Sequence, residues 1–142
     1  MKAITILERV NYTKSNMAYV TVEEIVNLIR TGNMVLHDNE FGDYTLRQAI
    51  EHIRSLKTHA EQQQWKLRLL PAVAYNGEFS EVNKNGLIQY SDITALDFDN
   101  IQNYDEMEYL WRRLVITPCV YCVFVTPSGK GLKALVLHDN TN

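Results

Sequence analysis

Between Leu87 and Leu137 the apolar residues change their period twice, and that change limits the folds open to the chain. Leu87 to Asp99 is a long β-prone run. Asn103-Tyr-Asp-Glu106 then has the form of a helix N-cap, and Met107, Leu110, Trp111, Leu114 and Val115 follow at helical spacing along one face. Pro118 stops that helix, because proline has no N–H to continue it. Val120 to Val125 and Leu132 to Leu137 are two further strands, joined by the polar loop "TPSGKG". Strand, helix, strand, strand with short connections predicts an α+β domain: a mostly antiparallel sheet with helices on one face.

The residues upstream fit the same class. Ala3 to Val10 reads as a strand. Thr21-Val-Glu-Glu24 and Thr45-Leu-Arg-Gln48 are capping boxes, in which the threonine and the fourth side chain each satisfy a free backbone N–H. The first opens a helix with Val22, Ile25, Val26 and Ile29 on one side and Gly32 as its stop; the second continues through Leu46, Ala49, Ile50, Ile53 and Leu56. Beyond it "KTHAEQQQWKLRLL" carries little pattern, and its alternating end suits an edge strand offering Lys66 and Arg68. "AVAYNGEF" reads as a strand with a turn at Asn76-Gly77. With 142 residues and no repeat or linker, a single domain is expected over 1–142, with an N-terminal part to residue 66 and a motif-bearing part from 67. It is further expected to be the front portion of a longer protein.

Composition narrows the setting. The chain is 46% hydrophobic and 22% charged, as globular proteins are, and no run nears the roughly 20 apolar residues of a membrane helix. No membrane partner is expected. A net charge of −3 argues against coating duplex DNA by charge alone. Cys119 and Cys122 sit three apart in an apolar strand, on opposite faces, so packing is favoured over zinc or redox use. Reduced cysteines suit a cytoplasmic protein.

"ITALDFDNI" carries the most chemistry. Asp97 and Asp99 share one face of a strand, with Leu96 and Phe98 on the other, and their Cα atoms lie roughly 7 Å apart. Two like charges so close repel unless a cation or a basic side chain offsets them. A shared divalent ion is one solution; a solvated polar face is the other. The loop between the last strands is not a Walker A motif, since a strand rather than a helix follows it. It is either a plain hairpin turn or a phosphate cradle built from a Gly-rich nest with lysine as a point charge. Carboxylates for metal and a basic loop for triphosphate are together the needs of nucleotidyl transfer.

These pieces, "LPAVAYNGEF", "GLIQYSDITALDFDNI", the helix and "VFVTPSGKGLKALV", give a sequence that resembles the archaeo-eukaryotic primase superfamily. More closely it resembles the primase–polymerase-like VirE N-terminal domain family of mobile-element and phage replication proteins. The resemblance implies an RRM-like catalytic sheet and metal-dependent nucleotide addition. It implies that Asp97 and Asp99 are catalytic ligands of Mg²⁺ or Mn²⁺. It also implies that Ser128, Gly129, Lys130, Gly131 and Lys133 meet the phosphates of a nucleoside triphosphate. Lys133 stands where many superfamily members carry histidine, and so supplies charge without a ready proton shuttle. A third carboxylate motif is not matched; Asp139 follows the last strand too soon. A DNA template or primer and a downstream helicase or replication domain are the implied partners, with Arg112 and Arg113 as candidate nucleic-acid contacts. A non-catalytic nucleotide or single-strand binding module is the alternative, and a purely structural domain ranks third.

Outside this constellation, His52 and His59 are expected on one helix, about 10.5 Å apart and too far to share a metal. Trp65 and Trp111 are expected in the core; Tyr75 and Tyr90 are open to packing or base stacking.

Overall fold

The computed structural model describes residues 2–8 and 17–139 of the 142. Strand β1 (Ile4–Leu7) is fully buried and lies between β2 (Met17–Val20) and β5 (Ala72–Ala74), antiparallel to both. Arg9 and Val10, the end of the first expected strand, lie outside the described residues. Both capping boxes form as read. Thr21 opens α1 (Val22–Thr31), which closes on Gly32 at φ 63°, and Thr45 opens α2 (Leu46–Ser55). Between them β3 (Val35–Asp38) and β4 (Gly42–Thr45) make a hairpin that the sequence reading passed over.

"KTHAEQQQWKLRLL" is a helix rather than an edge strand. Thr58 caps α3 (His59–Leu69) with Glu61 in a third capping box. This corrects Lys66 and Arg68, which do not line a strand edge. Arg68 is held by Asp38 and Glu40 at 2.8 and 3.0 Å, and its guanidinium lies over the rings of Phe41 and Trp65. His52 and His59 also fall on different helices. His52 packs edge-on against Trp65, with ring centroids 4.7 Å apart.

"AVAYNGEF" divides at Tyr75-Asn76 into β5 and β6 (Gly77–Phe79), which join different sheets; β6 pairs with β7 (Leu87–Tyr90). The long run to Asp99 is likewise broken at Ser91, where β8 (Ile93–Phe98) begins. Buried Ser91 fixes both corners. Its Oγ donates to the Tyr75 carbonyl and accepts from Ile93 N–H, and its own N–H donates to the Asn76 carbonyl. After α4 (Tyr104–Val115), β9 (Val120–Val125) and β10 (Leu132–Leu137) complete a three-stranded sheet in the order β8-β10-β9.

The fold is α+β and each strand pair formed is antiparallel. The strands form four separate groups instead of the one sheet expected, because the corners at Tyr75 and Ser91 send successive strands to different partners. One core joins Ile4, Ile6, Val22, Ile25, Tyr75, Ile93 and Leu135; a second lies around Leu36, Tyr44, Ala49, Ile53 and Leu69. Helix α4 covers β9 and β10 from the sheet's other side, and none of its residues is fully buried.

Candidate functional site

Asp97 and Lys133 are paired directly across β8 and β10, and Phe124 of β9 lies opposite Lys133 on its other side. Side chains in such a row share a face of the sheet. Ile93 and Leu135, farther along the same face, belong to the first core. The face therefore runs from buried aliphatic side chains to a charged rim within one strand length. Lys133 Nζ sits 3.3 Å from Asp97 Oδ1 and 5.8 Å from the centre of the Tyr75 ring. The like-charge repulsion at the strand end is thus eased by a basic side chain, Lys133.

Asp99 follows the strand, and Asn100 turns the chain with φ 58°, a left-handed conformation that asparagine tolerates better than most residues. The turn brings Ile101 N–H to the Lys130 carbonyl at 3.1 Å. Gly131 rests against the same strand end. A Cβ there would lie 2.9 Å from the Phe98 carbonyl oxygen and 3.3 Å from Asp99 Oδ1. The acidic strand and the glycine-lysine loop are accordingly in backbone contact.

The loop itself is a tight hairpin connection. Gly129 N–H donates to the Thr126 carbonyl at 2.9 Å across Pro127 and Ser128, with Gly129 at φ 78°. Lys130 N–H donates to Ser128 Oγ at 3.2 Å. Two of the N–H groups expected to form a phosphate nest are thus engaged within the turn. What the loop offers outward is side chains: Ser128, Lys130 at the exposed tip, and half-buried Lys133.

Arg54 is the residue that sequence reasoning missed. It reaches from the end of α2 and donates to the Thr126 and Pro127 carbonyls at 3.2 and 3.3 Å. Nothing near Arg54 in the chain signals this, because its partners are 72 and 73 residues away. Its guanidinium adds a third cation beside the loop.

A family model for the BT4734-like N-terminal domain matches residues 64–142, more than half of the chain and all of β5 to β10. The chain belongs to this family. No curated protein and no solved structure matches it. Within this BT4734-like domain, Asp97, Asp99, Ser128, Gly129, Lys130, Gly131 and Lys133 are brought together at one end of the β8-β10-β9 sheet. Arg112 and Arg113 are not. They lie on exposed parts of α4, where Arg112 bonds Glu108 at 2.8 Å and Arg113 lies over Tyr109. The Glu108 hydrogen bond holds the Arg112 guanidinium even more firmly protonated than usual. Asp139 follows the end of β10 that pairs with Ile93, away from Asp97.

Among the described residues no group of three or more His, Cys, Asp or Glu side chains is arranged to hold a metal. Two carboxylates still suit Mg²⁺, which commonly takes one or two protein ligands and fills its octahedron with water and substrate phosphate. Beneath the pair, Tyr75 is buried, and burial raises its phenol far above the ordinary value, with the negative charge of Asp97 adding to the effect. Cys122 packs against the same core and its thiol is pushed up by burial, while Cys119 is exposed before β9; both are free.

Proposed function

We propose that this domain binds a nucleoside triphosphate with Mg²⁺ or Mn²⁺, as a primase–polymerase-like module of mobile-element DNA replication acting in the cytoplasm. The observation that carries the reading is the backbone junction between the acidic strand and the glycine-lysine loop, Ile101 N–H to the Lys130 carbonyl. It sets two carboxylates at the loop that carries Lys130 and leads to Lys133, and that Arg54 holds by two carbonyls, a charge pattern suited to a metal-bound polyphosphate. The β8–α4–β9–β10 order, with β10 between two mutually parallel strands, is a split β-α-β unit compatible with an RRM-like sheet of the archaeo-eukaryotic primase superfamily.

In this reading Asp97 and Asp99 would hold the divalent ion, which would neutralise phosphate charge. Lys133 leaves Asp97 for the phosphates, Lys130 and Ser128 bind from the loop, and Arg54 keeps the loop in shape. A primer 3′-hydroxyl would then attack the α-phosphorus and release its proton to water; the new O–P bond replaces the bond to the β-phosphate oxygen, and pyrophosphate leaves. Arg112 and Arg113 would serve a DNA template or primer on the outer face of α4. A downstream helicase or replication domain would use the product.

The Lys133–Asp97 ion pair favours a second reading, a non-catalytic nucleotide or single-strand binding module. A lysine on the carboxylate competes with the metal, so anion binding could persist without chemistry. Titration with Mn²⁺ and nucleoside triphosphate, followed by calorimetry, tests the site: binding is expected for the wild type and at least tenfold weakening for Asp97→Ala/Asp99→Ala. Equal binding by the double variant overturns the site. Primer extension on a single-stranded template separates the two readings, since only the enzyme incorporates nucleotide.

A further inference from the structure

Lys133 stands between two places for a negative charge and cannot serve both. Its ammonium is 3.3 Å from Asp97 Oδ1, and it follows Gly131 of the loop by two residues. Its stem has room to move. Together with Tyr75, Phe124 and Pro127 it lines a cavity of about 310 Å³ between the two cores, so the stem borders open space that reaches the loop at Pro127. Lysine is a point charge on four flexible carbons, and it can change partner without giving up the forked geometry of an arginine pair. We propose that the Lys133–Asp97 ion pair is a switch: it withholds Lys133 from phosphate until a divalent cation takes Asp97, so that the site accepts a metal-bound polyphosphate and discriminates against the free one. The proposal rests on the nucleotide reading above and adds the regulation of that site.

Charge balance at the strand end sets the direction of the coupling. Without metal, Lys133 offsets Asp97, and an incoming anion must break that pair and then sit beside a bare carboxylate. The Asp97 side chain is 54% exposed and open to a hydrated ion, whereas that of Lys133 is only 28% exposed. With a divalent ion on Asp97 and Asp99, the ammonium would meet a cation where its partner had been. It would then be a half-buried charge without a counter-ion, because the Tyr75 ring 5.8 Å away attracts it but carries no net charge. Phosphate supplies the missing negative charge. Metal therefore favours phosphate through Lys133 as well as by direct contact, and by linkage phosphate favours metal to the same degree. Lys130, exposed at the loop tip, is outside this coupling.

The test is calorimetry on the full chain with inorganic tripolyphosphate, once in Mn²⁺ and once in EDTA, and with Mn²⁺ alone. In EDTA, Asp97→Asn is expected to bind tripolyphosphate about tenfold tighter than the wild type, because it releases Lys133; in Mn²⁺ the same variant is expected to bind it more weakly. A gain in affinity cannot come from a variant that fails to fold. Asp99→Asn removes an equal charge from the same strand end but leaves the ion pair, and should change binding in EDTA by less than about threefold. Lys133→Met keeps an apolar stem and removes the charge. It is expected to bind Mn²⁺ alone about tenfold tighter, and in the double variant to abolish the gain from Asp97→Asn. Suppose the wild type binds tripolyphosphate in Mn²⁺, but Asp97→Asn brings no gain in EDTA, or Asp99→Asn brings the same gain, or the gain survives Lys133→Met, or Lys133→Met leaves the Mn²⁺ affinity unchanged. Any of these overturns the switch while the nucleotide reading stands. If the wild type does not bind tripolyphosphate in Mn²⁺, both fall.

Discussion

Gly131 shows how closely the two motifs are fitted. A methyl group there would meet the Phe98 carbonyl oxygen and Thr126 Oγ1, each at 2.9 Å. Backbone cannot yield as a flexible side chain can, so Gly131→Ala is expected to cost about 1–3 kcal/mol, read from the midpoint of urea unfolding. Asp38 is a residue of a different kind. It accepts two hydrogen bonds from Arg68 and the N–H groups of Glu40 and Phe41, which hold its carboxyl well below the usual range. A depressed folded value means the contribution is present above the unfolded pKa of about 3.9 and fades as pH falls toward the folded one. Thermal midpoints should therefore drop as pH falls below about 4, and Asp38→Asn should lower the midpoint at neutral pH and flatten that acid slope.

The helices owe their starts to local chemistry. Three threonines accept from the N–H three residues on, and in each case Glu24, Gln48 or Glu61 reaches back to the threonine N–H. Two of these boxes were legible from sequence. The third, Thr58 to Glu61, was equally written there but hidden by a helix whose glutamine-rich turns form no continuous apolar stripe. Thr58→Ala is expected to destabilise the protein by about 1 kcal/mol, measurable by thermal or urea unfolding. Helix α2 has a further task, because Arg54 near its end holds two carbonyls of the β9–β10 loop. Arg54→Ala should leave the helix in place and loosen the loop. Roughly tenfold faster hydrogen exchange at the Thr126 and Gly129 amides is the expected sign.

Across the whole molecule, Met34 packs against both cores, and the cavity lies where they meet. The two cores are therefore expected to unfold together. Leu135, fully buried in the central strand of its sheet, is the residue to test this. Leu135→Ala should cost about 2–5 kcal/mol, a large part of the 5–15 kcal/mol that stabilises a typical domain. Fluorescence of Trp65, beside the second core, should report the same unfolding midpoint as circular dichroism. Separate transitions would show the cores to be independent. Among the described residues no helix is long and apolar enough to cross a membrane.

Caps, helical periods and the limits of β9 and β10 could be read directly from the chain, because each depends on residues only a few positions apart. The acidic pair and the loop could be read as chemistry for the same reason. Their meeting could not. Strand register, set by packing over the whole sheet, put Lys133 opposite Asp97, and a corner held by Ser91 carried Tyr75 beneath them. Arg54 reached the loop across more than seventy residues of intervening chain. Such contacts arise when distant segments bury apolar surface against one another, and no short window of sequence contains both partners.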